Sequence, residues 1–259
     1  MPDSRIDKAS VAVVVPIYKA EINADEAKSL ESICRVLAAR DIIVVKPRGL
    51  DLSALLAPYP GIRQIEFDPS FFQGIRGYNR LMTSAAFYDT FAAYQYILIA
   101  QLDTYIFRDD LDTWCARGFD YVGAPWLQRT VNRFPPMLWI KRIEDVLRRR
   151  KGLYSKTALY NRVGNGGLSL RKTASHARVC REKTDELARL NAIGPKGHPE
   201  DVFWATDAPG FTYPVAKEAL MFAFDKYPAW CYRLTGRRLP MGCHGWSSRK
   251  MRPFWSKIF

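Results

Sequence analysis

YILIAQLDTYIF, residues 96–107, is the stretch that decides the fold. Tyr96 to Ala100 make an apolar run of strand length with no helical period. It ends on Gln101, Leu102 and Asp103, and Tyr105 to Phe107 are apolar again. A strand apolar on both sides of its pleat belongs in a sheet covered on both faces, which is the habit of parallel sheets. Ligands of such sheets bind beyond the carboxyl ends of the strands. Asp103 falls there. An aspartate at a strand end commonly serves only as a turn or helix cap; the buried aromatics on either side favour a place on a cleft floor.

Working outward, the first half repeats this grammar. VAVVVPIY (11–18) and DIIVVKP (41–47) read as buried strands, each closed by a proline, and IRQIEF (62–67) as a third. Between the first two, ADEAKSLESICRVLAAR has Ala27, Leu30, Ile33, Cys34 and Leu37 at helical spacing. GYNRLMTSAAFYDTFAAY (77–94) reads as one helix before the strand YILIA. Strands alternating with helices predict an α/β layered domain with a mainly parallel sheet.

The second half is less regular. PPMLWIKRIEDVLRRRK (135–151) predicts a basic amphipathic helix with Trp139, Ile140, Ile143, Val146 and Leu147 on one side. NRVGNGGLSLRK enters a strand-like GLSLR through Gly164, Gly166 and Gly167. ASHARVCREKTDELARL (174–190) reads as a helix. GHPEDVFWAT begins a short one after Pro199, with Glu200 and Asp201 in its first turn, where acids also suit the helix dipole.

Composition narrows the classes. Of 259 residues, 48% are hydrophobic, so a large core can form and global disorder is excluded. There is no apolar run of about 18 residues or more, so no membrane-spanning helix is expected. The polar N-terminus MPDSRIDKAS has no signal core. Five cysteines, an odd number without a CxxC pair, predict reduced thiols and a cytoplasmic protein. The net charge of +13 is concentrated: residues 128–162 hold ten Lys/Arg against two acids, and 226–259 hold eight with no acid. Such segments suit anionic lipid, phosphorylated ligands or nucleic acid. Both mix Trp, Phe, Leu and Ile with their charges, so residues 136–151 and 246–259 are each expected either on an anionic membrane surface or packed on the domain.

Three positions carry candidate chemistry. Asp103 offers hard oxygen ligands, and His244 lies between two glycines. Carboxylate, imidazole and diphosphate oxygens together suit Mn2+ or Mg2+. Asp201 or Glu200 is suited to take a proton from an attacking hydroxyl. The glycines of GNGG would let a substrate lie against the backbone; the segment is no P-loop, lacking the Lys-Ser/Thr pair.

Taken together and in order, VAVVVPIYKAE, YNRLM…FYDTFAAYQYILIAQLD, YVGAPW, VGNGGLSLRK, PEDVFW and GCHGW resemble the motifs of a bacterial family of glycosyltransferase-like domains with a GT-A type nucleotide-sugar fold. The similarity runs from about residue 10 to 246 and is weakest between 127 and 160. It implies a single domain around a Rossmann-type, mainly parallel sheet flanked by helices. The nucleotide-sugar half would occupy about 10–125, the acceptor half 126–246 and a basic aromatic tail 247–259. QLD stands where such enzymes carry Asp-x-Asp. The resemblance therefore makes Asp103 a metal and diphosphate ligand, with Gln101 replacing the first acid and His244 as second metal ligand. Pro16, Ile17, Tyr18, Lys46, Arg76, Asn79, Gln101 and Leu102 are the implied nucleotide-sugar contacts. Asn165, Gly166, Gly167 and Trp126 fall on the acceptor side. Asp201, ahead of Glu200, is the implied base.

The implied reaction is metal-assisted sugar transfer from a nucleoside diphosphate sugar, a UDP-sugar as first choice, to a hydroxyl of a glycan or lipid-linked glycan. Inversion is favoured over retention, in cell-surface polysaccharide synthesis at the inner face of the cytoplasmic membrane. Three rivals compete: an inactive nucleotide-sugar binder, kept open by Gln101; a nucleotidyltransferase; and a nucleic-acid binder, for which no recognisable motif speaks.

Overall fold

Val11–Pro16 (β1) is buried at all six positions, as its unbroken apolar run requires. The computed structural model describes residues 10–128, 134–150 and 153–259. The N-terminal segment 1–9, and Arg129, Arg133 and Lys151 of the first basic segment, lie outside them. The pleat sends Val11, Val13 and Val15 to one hydrophobic cluster, with Leu30 and Ile33, and Ala12 and Val14 to another, with Leu81, Phe87 and Tyr88. Each face is thus covered, and each fully buried aliphatic side chain contributes about 1.5–3 kcal/mol.

The helix Ala24–Val36 returns the chain across the first of these faces. Asn23 caps it: its side chain accepts from the backbone of Asp25 and Glu26, and Glu26 accepts in turn from the Asn23 N–H. Asp41–Pro47 (β2) and Arg63–Phe67 (β3) follow, then Tyr96–Ala100 (β4), Thr104–Ile106 (β5), Tyr121–Gly123 (β6), Leu168–Lys172 (β7), Ala223–Phe224 (β8) and Gly242–His244 (β9). The main sheet has six strands in the order β3-β2-β1-β4-β7-β6. β1 to β4 are mutually parallel, and β7 runs antiparallel to both β4 and β6. Strand order reverses between β1 and β4, and the crevice beyond their carboxyl ends is where this architecture binds ligands. A second sheet, β5-β9-β8, stands beside that crevice.

Two helices predicted as continuous are each two. Residues 77–94 divide into Gly74–Met82 and Ala85–Thr90; the break at Thr83 and Ser84 is held by the Thr83 hydroxyl, which donates to Asn79 O at 2.7 Å. Such a local side-chain bond competes with helix continuation. Residues 174–190 divide at Lys183 into Thr173–Glu182 and Thr184–Ala192.

The basic tail takes the second of its two expected places. Its aromatic half is packed on the domain: Trp246 and Trp255 are buried, and Phe259 stacks on Tyr105 of β5 with ring centroids 4.3 Å apart. The other basic segment behaves oppositely. In the helix Pro135–Arg150 only Asp145 is buried, and Trp139 is 67% exposed. All five cysteines are free.

Candidate active site

The site begins where β4 ends. The Gln101 N–H donates to Gly167 O at 2.9 Å, which ties the strand exit to the glycine segment. Gln101 O accepts from the Thr104 N–H and hydroxyl, at 2.9 and 2.8 Å, closing a turn that presents Asp103. β5 then pairs antiparallel with β9, Thr104 opposite His244, and the Gly245 N–H donates to Asp103 O at 2.9 Å. This register, set across some 140 residues of chain, brings His244 to Asp103. His244 Nε2 is 3.2 Å from Asp103 Oδ2, and Nδ1 is 3.2 Å from Asp225 Oδ1. Burial works against the imidazolium, but the two carboxylates outweigh it and hold its pKa up at about 10. Burial likewise opposes ionisation of Asp103, and the bond from His244 overcomes it and holds that carboxyl below its usual range.

Asp225 escaped the sequence reading. Its signal was present: MFAFD ends a buried aromatic run, Phe222 to Phe224, on an acid, as YILIAQLD does. Asp225 orients the imidazole from behind, so that Nε2 faces Asp103, which is the usual arrangement behind a metal-binding histidine. Asp103 Oδ1 is buried and without a hydrogen-bond partner. A hard divalent cation therefore fits Asp103 and His244, where it would take the place of the proton on His244 Nε2. Among the described residues no group of three His, Cys, Asp or Glu is arranged to hold a metal, so further ligands would come from substrate or water.

A second constellation surrounds the glycines. The helix Glu200–Thr206 starts after Pro199, its first N–H donating to Asn79 Oδ1 at 3.3 Å. Its two acids have different surroundings. Glu200 is buried against Arg171 of β7, itself wholly buried, at 3.0 Å. The same guanidinium donates to Ser169 Oγ and Tyr88 Oη at 3.0 and 2.9 Å. Asp201 makes no ion pair among the described residues, and Arg171 acts on it only at longer range. It accepts from the Val202 N–H at 2.8 Å, and burial together with the neighbouring Glu200 pushes its pKa up to about 7. Arg171 also escaped the sequence reading, because a strand arginine is ordinarily exposed.

The glycines serve a purpose other than substrate access. A Cβ on Gly166 would stand 2.2 Å from Glu200 Oε1, one on Gly167 2.2 Å from the His244 ring, and one on Gly164 2.3 Å from the Trp126 ring. The space above each is taken by the protein's own side chains. Asn165 Oδ1 accepts from the Gly167 N–H at 3.1 Å and holds the turn.

Two clefts meet at Asp103 and His244. The first, about 430 Å³, is lined by Pro16, Ile17 and Tyr18 beyond β1, by Gln101, Leu102 and Asp103 beyond β4, and by Phe71, Phe72 and Tyr78. The second, about 650 Å³, is lined by Trp126, Asn165, Asp201, Asp225 and His244, with Lys141, Lys156 and Lys226. Lys46, Arg76 and Asn79, expected at the nucleotide, do not line the first cleft. Each is engaged internally: Lys46 with Leu50 O and Glu66, Arg76 with Gly194 O, Asn79 with Lys196 O.

This fold is that of the GT-A glycosyltransferases. Crystal structures of an active-site mutant of LgtC (13% identity, 95% of each chain, TM-score 0.55) and of the galactosyltransferase LgtC with donor and acceptor sugar analogues (11%, 92% of this chain and 88% of that, 0.54) superpose along nearly the whole chain. So does mouse xyloside xylosyltransferase 1 in its apo form, at 15% identity over 91% of this chain and 97% of that, with a TM-score of 0.54. At these identities the likeness establishes the fold alone. No curated protein matches the sequence. The chain belongs to the family described as protein of unknown function (DUF5672), which matches residues 61–244.

Proposed function

We propose that this protein transfers a sugar from a nucleoside diphosphate sugar to a hydroxyl of a glycan acceptor. One observation carries the reading: Asp103 and His244 stand between two clefts, at the switch point of a GT-A fold, with a buried carboxyl of raised pKa, Asp201, in the second cleft. The donor occupies the first cleft, where Tyr18, 61% exposed at its mouth, offers a face for the base, uracil being the first choice. Bound at Asp103 and His244, Mn2+ or Mg2+ would supply Lewis-acid neutralisation of the leaving diphosphate.

The chain's own part is acid–base and positional. Asp225 and Asp103 hold His244, and Arg171 holds Glu200 in place. Asp201, with a pKa near the working pH, accepts the proton of the acceptor hydroxyl as its oxygen bonds to the anomeric carbon. The bond from that carbon to the phosphate oxygen breaks, and its electron pair leaves on the nucleoside diphosphate. Direct displacement of this kind inverts the anomeric centre, and the product anomer, read by NMR, checks it.

The test is calorimetry of a panel of nucleoside diphosphates and their sugars, with and without Mn2+, on wild type and Asp103→Ala. Metal-dependent binding of one nucleotide, lost in Asp103→Ala, is expected. No binding by any of them overturns the reading. Gln101, in place of a second acid, favours one alternative, a binder without turnover: Asp201→Asn would then leave donor binding intact with no activity to lose.

A further inference from the structure

The helix Pro135–Arg150 has one engaged edge and one open face. On the engaged edge, the Asp145 carboxylate accepts from Ser155 Oγ at 2.6 Å and from the Lys156 and Thr157 N–H groups at 2.7 and 2.9 Å. Glu144 bonds Lys141 and Lys156, and Lys141 and Lys156 line the second cleft. The open face is apolar. Trp139, Ile140, Ile143, Val146 and Leu147 are 67, 57, 57, 52 and 52% exposed. Their spacing makes them one stripe along the helix. Single exposed apolar side chains need no explanation, but a contiguous stripe on a soluble domain marks an interaction surface.

Charge identifies the occupant. Both acids of the helix are bound on the engaged edge, so the charges that face outward are all arginine: Arg142 and Arg149 along one border of the stripe, and Arg150 at its end. A second apolar protein surface would leave these guanidinium groups without partners. A sheet of anionic headgroups over an acyl interior satisfies both the arginines and the tryptophan at once. We propose that this stripe binds the surface of an anionic lipid bilayer, the helix lying in the plane of the interface. No described helix is long and apolar enough to cross a membrane, and this one is too highly charged to enter the hydrocarbon. Since the same helix walls the second cleft, binding sets that cleft beside the lipid, where a lipid-anchored acceptor is presented. This last consequence rests on the sugar-transfer reading; the surface itself does not.

The test is flotation of the full chain with phosphatidylcholine vesicles containing phosphatidylglycerol, against vesicles of phosphatidylcholine alone. Binding to the anionic vesicles only, weakening as salt rises, is expected. Trp139→Glu combined with Ile143→Glu, both exposed and outside the two clefts, lowers partitioning about tenfold or more with an unchanged melting temperature. Arg142→Glu with Arg149→Glu lowers it by about fivefold or more per residue. Absence of wild-type binding overturns the proposal. So does equal binding to neutral vesicles, or anionic binding that survives Trp139→Glu/Ile143→Glu undiminished. Nucleotide binding, measured on the same variants, is independent of these outcomes, so either reading can fail while the other stands.

Discussion

Replacing Arg171 with leucine removes the ion-pair partner of Glu200, which has no other among the described residues. Arg171 and Glu200 have side-chain exposures of 0 and 4%, and their ion pair spans 3.0 Å. Glu200 Oε2 already lacks a partner, and Tyr88 Oη and Ser169 Oγ would each lose the guanidinium donor, keeping only the bonds they donate to Met82 O and Gly166 O. Breaking a buried pair from one side costs about 3–5 kcal/mol, because the remaining charge stays desolvated. For a chain of this size each kcal/mol moves the melting temperature by about 2–4 °C, so Arg171→Leu should melt roughly 6–20 °C lower. Urea unfolding at fixed pH reads the same loss as a lower midpoint at constant slope. The companion is Arg171→Leu/Glu200→Leu. An apolar pair of similar volume is often neutral or stabilising relative to the ion pair, so the double variant should recover most of the single variant's loss. A single variant costing under about 1 kcal/mol, or a double variant no more stable than the single, would refute the view that Arg171 serves to neutralise Glu200.

Five further outcomes are expected. Transfer by the wild type should rise with pH, half-maximal at about pH 7 and level above it, as Asp201 ionises, while Asp201→Asn is pH-independent over that range and slower by about 10²–10⁴-fold in steady-state assays. Because the folded pKa of Asp201 lies above its unfolded value, its contribution to stability is present at low pH and lost as pH rises through about 7; Asp201→Asn should therefore gain stability over wild type at pH above 7 in paired urea titrations. Gly167→Ala puts a methyl 2.2 Å from a His244 ring pinned by two carboxylates, so it should cost about 1–3 kcal/mol on thermal melting. Asp225→Asn removes the charged partner behind His244 and should weaken Mn2+ binding about 10–100-fold by calorimetry. Trp255→Ala empties the centre of the tail cluster and should cost about 3–5 kcal/mol, whereas a tail that lay free would lose nothing.

Much of the architecture was legible because it is local. The runs at Val11–Pro16, Asp41–Pro47 and Tyr96–Ala100 have one explanation, a strand covered on both faces, and the structure has each of them there. The start of the helix Ala24–Val36 is written in Asn23 and Glu26. The short strands β5, β6, β8 and β9, of two or three residues, carry too few positions to show a period. Thr83 broke a predicted helix through a hydroxyl bond that composition does not reveal.

By itself, then, the sequence determined the strands of the parallel half, the position of Asp103 at a strand's carboxyl end, and the presence of an acid pair at the start of the helix Glu200–Thr206. Those features depend on neighbours a few residues away. The tertiary structure alone decided which of the two acids is paired with Arg171, that Asp225 stands behind His244, and that Gly166 and Gly167 make room for Glu200 and His244. It alone separated two similar basic aromatic segments into a docked tail and a helix with an open apolar face. Burial, register and ion pairing are set by residues far apart in the chain, so a side chain's surroundings, and with them its charge state and role, exist only once the sheets have assembled.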